Sequence, residues 1–436
     1  MMQKSLSEKA FEILTSEDDG RACRDIADSA CRDQPGNFFK HIFSLSLTKA
    51  ADGMIDPKLV LSWLLTNAGA PAYLVGLLVP IREAGALLPQ LFTASYIRTL
   101  PLRKYAWSAG SAVQGICALA IAGSAFVLQG ASLGIAVLIL LAILAVARSI
   151  CSVSYKDVLG KTVDKSRRGT ATGAATSIAA GFVVVFALLL SSGIFDKAEL
   201  VSFGLLLAGG FWIGASLLFS SLSEDKGATE GGRNAFHLAR DNFDYLKSDK
   251  QLLLFIATRG LLIATALAPP FMVSLSASEQ ESAFAELGLL LLASSLAGIS
   301  SSFIWGRLAD RSSRKVLMSA GLIGGLSLSA TALTSISGLL DESWVLPLLL
   351  FALMIAYQGV RLGRTTHLVD MADEDRRAAY TALSNTIIGV LLLAGGLFSL
   401  IASQFGEAAV LGLFAAMCFA AIACAAALND VQQRTH

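Results

Sequence analysis

Long apolar stretches alternate with short polar ones along almost the whole chain, and the apolar ones recur twelve times. A bilayer core requires about 20 consecutive apolar residues of helix, and only helices or closed barrels satisfy the backbone in lipid. These runs are too long and too uniformly apolar for barrel strands. The pattern predicts spans near 40–66, 72–96, 105–128, 132–153, 170–193 and 199–222, then a polar stretch. Six more follow near 251–274, 283–305, 316–338, 345–363, 378–402 and 406–428. The expected fold is all-α and polytopic, with twelve transmembrane helices in two pseudo-symmetric six-helix bundles over 38–223 and 251–428. A tail over 1–37, a linker over 224–250 and a tail over 429–436 complete the layout.

Composition agrees with a chain solvated by lipid. Of 436 residues, 54% are hydrophobic and 15% are charged, against about 25% charged in soluble proteins. The net charge of +1 gives no general basicity for nucleic acid. Basic residues matter by position instead. One set of loops holds Arg98, Arg103 and Lys104, then Lys156, Lys161, Lys165, Arg167 and Arg168. Its counterpart in the second half holds Arg307, Arg311, Arg314 and Lys315, then Arg364, Arg376 and Arg377. The opposite loops contain a single basic residue, Lys197. The positive-inside rule then predicts an even number of spans with both termini cytoplasmic, in the plasma (inner) membrane. The first 37 residues lack the apolar core of a secretory signal.

The linker carries Phe236, Ala239, Phe243 and Leu246 at helical spacing, which predicts an amphipathic helix. Cys117, Cys151, Cys418 and Cys424 sit in apolar runs and are read as small core residues. Cys23 and Cys31 lie in a repeated Ala-Cys-Arg-Asp whose spacing fits no zinc pattern, so reduced thiols are expected.

An internal repeat links the halves. Arg103-Lys104 precedes Ser108-Ala109-Gly110, and Arg314-Lys315 precedes Ser319-Ala320-Gly321, an offset of 314 − 103 = 211. Arg167-Arg168 precedes Gly181 and Arg376-Arg377 precedes Gly389, an offset of 377 − 168 = 209. The second half therefore reads as a copy of the first in the same orientation. Shifting spans seven and eight back by 211 divides the uncharged run 59–80 near Gly69-Ala70-Pro71.

After the eighth span comes Gly306-Arg-Leu-Ala-Asp310-Arg311-Ser-Ser-Arg314-Lys315. Gly306 permits close helix approach, Asp310 suits a helix N-terminus, and Arg311, Arg314 and Lys315 suit acids or lipid phosphates. Together they predict a gating latch. A generic basic loop is the alternative. This segment resembles the signature of the major facilitator superfamily, and the resemblance extends over nearly the whole chain. It implies a transporter of the rocker-switch kind, a uniporter, symporter or antiporter. The first-half counterpart departs from the signature: Ser95 stands for Gly and Thr99 for Asp, and only Arg103-Lys104 persists. Arg148 in span four resembles an intramembrane arginine that the family links to proton coupling in antiporters.

Ionisable residues inside spans mark candidate sites, because each costs at least about 2.5–3.5 kcal/mol on insertion scales. Span one carries Lys49, Asp52, Asp56 and Lys58. Lys49, Asp52 and Asp56 share a face at i, i+3, i+7 of a continuous helix. Pro57 predicts a kink or opening beside the two carboxylates. Mutually neutralising Lys–Asp pairs are the structural alternative. Span two adds Arg82 and Glu83, which point about 100° apart on a helix. The expected pairings are Glu83 with an arginine such as Arg148, and Arg82 with Asp52 or Asp56. In span seven, Arg259 is expected to snorkel toward the cytoplasm, and Pro269-Pro270 to bend or end the helix. The charged interior thus belongs mainly to the first half.

No phosphate-binding Gly-x-x-x-x-Gly-Lys motif is present, and the four histidines are scattered. No cofactor, metal or nucleophile–base pair is expected. The leading expectation is a monomeric secondary active transporter of a small organic solute by alternating access. A carboxylate such as Asp52, Asp56 or Glu83 would carry coupled protons. The alternative is a non-transporting membrane sensor or scaffold on the same fold.

Overall fold

The computed structural model describes residues 26, 28–227, 229, 245–279, 286–337, 339–372 and 374–432. The linker residues Phe236, Ala239 and Phe243, and Cys23 in the tail, lie outside the described residues. Within that range the chain is a bundle of long helices. Eleven are long and apolar enough to cross a membrane. They are Ala72–Arg98, Lys104–Val127, Gly130–Thr162, Lys165–Ser191 and Lys197–Ser220 in the first half, spans two to six. Lys250–Leu275, Leu287–Arg311, Ser313–Ser337, Val345–Met371, Ala379–Phe405 and Glu407–Ala426 form spans seven to twelve. Span one is not among the eleven. It is interrupted, running Asp28–Met54 and then Val60–Asn67, and its charges keep it out of the purely apolar set.

Span one starts at Asp28, inside the stretch expected to be tail. Its early turns are held against the end of span six. The Asn37 amide donates to the Ser223 carbonyl at 2.9 Å and accepts from the Ser223 amide at 3.0 Å. The division near Gly69 is present. Gly69 has φ +72°, a left-handed turn suited to glycine, and Ala70 N–H closes on Leu65 O at 2.9 Å. In span seven the break falls at Ile263, and Pro269 and Pro270 lie inside the segment Ala264–Glu279. The rings would meet the carbonyls of Thr265 and Ala266 in a straight helix, so the distortion sits just upstream of the prolines rather than at them. Cys31 is disulfide-bonded, contrary to the expected reduced thiol.

Within the first half, span three packs on four and six, span one on five and six, and span two on four. Within the second, span nine packs on ten and twelve, span eight on ten, and span seven on twelve. The halves meet where span five packs on eight and span two on eleven. Under the repeat, spans two and five correspond to eight and eleven, so these two contacts are one contact seen twice.

Each half also ties the loop between its second and third spans to the residues after its sixth. Glu224 accepts from the backbone N–H of Arg103 and Lys104 at 3.1 and 2.8 Å and pairs with Lys161 at 3.2 Å. Asp157 in turn pairs with Arg103 and Lys161. In the second half Asp430 accepts from Ser312 Oγ at 3.0 Å and pairs with Arg314 at 3.5 Å. Arg314 also donates to Leu428 O at 3.1 Å. Ser312, not Asp310, accepts from a helix-start N–H, that of Lys315 at 3.3 Å. Asp310, Arg311 and Lys315 are exposed. Space around Gly306 is open, so no helix approaches there; the close approach is Trp305 on Gly359. Glu224 closes a helix N-terminus as a buried charged cap. We expect Glu224→Ala to lower stability by about 2 kcal/mol, read as a fall in the detergent-solubilised unfolding temperature, with Glu224→Asp intermediate.

Candidate functional site

Pro57 organises the first half of the site. It has no amide hydrogen, and the helix stops at Met54 and resumes at Val60. In the gap the Asp56 carboxylate accepts the Lys58 backbone N–H at 2.7 Å, and Ser62 Oγ donates to the Pro57 carbonyl at 2.7 Å. The break removes Asp56 from the face that a continuous helix would share with Lys49 and Asp52. Lys49 lies apart too, donating to Thr176 of span five at 2.5 Å.

Asp52 is the centre of the first-half network. Its two oxygens take Arg82 of span two at 2.8 Å and Arg148 of span four at 2.6 Å. One carboxylate thus joins three spans. Glu83 does not reach Arg148. It turns to Lys58 at 3.7 Å and accepts from Tyr357 OH of span ten at 3.5 Å. Lys58 Nζ also lies 3.8 Å from the centroid of the Tyr357 ring, a favourable cation–π geometry. Lys58, Glu83 and Tyr357 therefore bridge the two halves beside the break in span one.

The second half supplies charges that the sequence reading placed elsewhere. Arg259 is 5% exposed and does not snorkel. It donates to Ser384 Oγ and, at 3.3 Å, to Asn385 Oδ1 of span eleven. Span ten runs on to Met371, so Arg361 and Arg364 belong to the bundle rather than to a loop. A cavity of about 30 Å³ is lined by Glu83, Arg259, Tyr357, Arg361 and Arg364. That volume holds about one or two waters. A second cavity of about 250 Å³ is lined by Lys49, Trp107, Gln114, Arg148, Tyr155 and Thr172. The four latch residues Gly306, Asp310, Arg311 and Lys315 make no contact with this site, and Arg314 belongs to the tail contacts described above.

The two ends of the interface differ. At the face opposite the tails, spans five and eight touch closely. A Cβ on Gly288 would lie 2.5 Å from Ser191 N and 2.8 Å from Ala187 O. On the tail side Thr176, Arg361 and Thr365 are exposed. The far ends of spans five and eight are thus in close contact, while these residues farther toward the tails are exposed.

Two parallel halves, joined through five–eight and two–eleven contacts, thus enclose these charges. Residues 252–434 match the Major Facilitator Superfamily. The solved nucleoside transporter NupG, as a point mutant, superposes with a TM-score of 0.66 at 14% identity, covering 89% of this chain and 99% of that one. A POT family transporter in complex with 5-aminolevulinic acid gives 0.67 at 9% identity over 88% and 94%. No curated protein matches the sequence. The second half thus matches the superfamily's sequence pattern, and the whole chain shares the fold of these solved transporters.

Proposed function

We propose that the chain is a secondary transporter that carries a small organic solute by alternating access and couples the movement to protons. It acts as a monomer in the plasma (inner) membrane with both termini cytoplasmic. The observation that carries this reading is the Lys58–Glu83–Tyr357 bridge across the halves. It sits where span one is broken, between the two halves, and parallel-repeat transporters bind their solutes between their halves. A proton on Glu83 removes the charge that holds Lys58 and weakens the bridge. Asp52 and its two arginines stay within the first half and keep that half rigid as it moves. The exposed latch residues Asp310, Arg311 and Lys315 are free on the tail face to engage partners or lipid phosphates in the opposite state.

The test starts from a thermal-shift screen of the purified protein against small metabolites and drugs. A compound that binds is then followed into proteoliposomes with an imposed pH gradient. Asp52→Asn, Asp56→Asn and Glu83→Gln are each expected to lose uptake driven by the gradient, with Glu83→Gln keeping exchange of solute for solute. Full gradient-driven uptake in all three variants overturns proton coupling through these carboxylates. Binding without any flux in the wild type overturns transport.

A further inference from the structure

The site holds more positive charge than its carboxylates neutralise. Leaving aside exposed Lys156 at the rim, seven cations among the described residues (Lys49, Lys58, Arg82, Arg148, Arg259, Arg361 and Arg364) face the inter-half region or the cavity beside it, against the three carboxylates Asp52, Asp56 and Glu83, a difference of 7 − 3 = +4. The carboxylates are already engaged. Asp52 takes Arg82 and Arg148, Glu83 takes Lys58, and Asp56 accepts the Lys58 backbone. The remaining four, Lys49, Arg259, Arg361 and Arg364, make no ion pair within 4 Å among the described residues. Lys49 has Thr176, Arg259 has Ser384 and Asn385, and Arg361 has Gln358 at 3.4 Å. Arg259 Nε is buried without a hydrogen-bond partner.

Uncompensated cations inside a membrane protein are expensive, and they usually mark a pathway or a counter-ion. Here they are concentrated. Tyr357, Arg361 and Arg364 recur at i, i+4, i+7 on span ten, so one helix face presents them together. Arg259 comes to the same cavity from span seven. Arg361 and Arg364 also stand within electrostatic reach of Glu83. Three of the four are arginines, whose planar fork matches the two oxygens of a carboxylate or phosphate. We infer that the solute is an anion bearing a carboxylate or phosphate, received by Arg361 and Arg364 of span ten with Arg259 behind them. This rests on the transporter reading and adds the chemical class of the solute. The larger cavity, lined by Lys49 and Arg148, lies in the first half, and the small one at Tyr357 is lined from both halves.

The experiment uses the full-length purified protein in detergent at constant ionic strength. The probes are succinate, inorganic phosphate and glucose 6-phosphate, with glucose and putrescine as neutral and cationic counterparts, and added phosphatidylglycerol as a lipid arm. At least one soluble anion is expected to raise the unfolding temperature while glucose and putrescine do not. Arg364→Gln and Arg361→Gln are expected to weaken that anion's apparent affinity at least about tenfold, an effect of about 1.4 kcal/mol. Lys165→Gln, exposed at the start of span five and outside the site, is expected to leave it unchanged. A shift from glucose or putrescine alone, from none of the anions, or of equal affinity in both arginine variants overturns the inference. So does stabilisation by phosphatidylglycerol alone, which assigns the arginines to a lipid headgroup. If a variant fails to fold, its Arg→Lys counterpart is used, which keeps the charge but not the fork and is expected to fall between wild type and Gln. Flux of a neutral or cationic solute in proteoliposomes overturns the anion and leaves transport standing. Anion binding without flux does the reverse.

Discussion

Asp52→Asn is expected to destabilise the protein by about 3 kcal/mol, the low end of the range for breaking a buried ion pair from one side. Two guanidinium groups share this carboxylate, at 2.8 and 2.6 Å. Removing its charge leaves both arginines facing each other across spans two and four with no anion between them. The low end applies because the Arg148 side chain is 33% exposed and keeps some water. Arg148→Gln is expected to be milder, since Asp52 retains Arg82. Combining Asp52→Asn with Arg148→Gln is expected to recover part of the loss, because one of the two unpaired cations is gone. The coupling between the two changes should exceed about 1 kcal/mol, as for groups in one network. Unfolding of the solubilised single and double variants measures it. Additive losses would show that Asp52 and Arg148 do not act as a pair, and a single-variant loss below about 0.5 kcal/mol would show the same of the whole network.

The fold was readable from the sequence because lipid imposes a strong and simple constraint on every span. Apolar length marks the helices, and the repeated Arg-Lys and Arg-Arg landmarks align the halves. The break at Gly69 followed from that alignment. The site was readable only in part. Asp52 and Arg82 stand out because charges are rare in such runs, yet which acid meets which base depends on how spans pack. Glu83 illustrates this: it lies next to Arg82 in sequence but turns to Lys58 and to Tyr357 in the other half.

The misplaced residues have a common cause. The apolar run of span ten ends near Gly363, so Arg364 read as a loop residue, and Arg361 went unremarked. The helix in fact continues to Met371, because a helix lining a polar opening need not be apolar on that face. The Tyr357, Arg361, Arg364 spacing was the available signal. Arg259 was misjudged for the opposite reason. Its depth suggested snorkelling, whereas Ser384 and Asn385 on span eleven give it polar partners inside the bundle. The first-half bias of the charged interior was thus a bias of the hydropathy pattern, which hides polar residues at the ends of long spans.

Under the alternating access proposed above, Gly288→Leu is expected to reverse the resting state of the molecule. At the far ends of spans five and eight the backbones approach so closely that even a Cβ at Gly288 would stand 2.5 Å from Ser191 N and 2.8 Å from Ala187 O. Those neighbours are backbone atoms and cannot swing aside. A leucine therefore holds the far face apart, and under the proposed alternating access the halves rock about the Lys58–Glu83–Tyr357 region toward the tail-closed arrangement. The expected readout uses Thr176→Cys, a position exposed on the tail side. An impermeant maleimide applied from the tail face should label it readily where Gly288 is retained. Labelling should be at least about tenfold slower in the Gly288→Leu background, which corresponds to a shift of about 1.4 kcal/mol between the two states. Gly288→Ala, with a single methyl group, is expected to lie between. The native thiols Cys117, Cys151 and Cys418 are buried, and half-buried Cys424, with Cys23 and Cys31, is replaced by serine in all three backgrounds. Equal labelling in all three backgrounds, with the leucine variant folded, would mean that the far-face contact does not control access, and the closed end of the molecule would have to lie elsewhere.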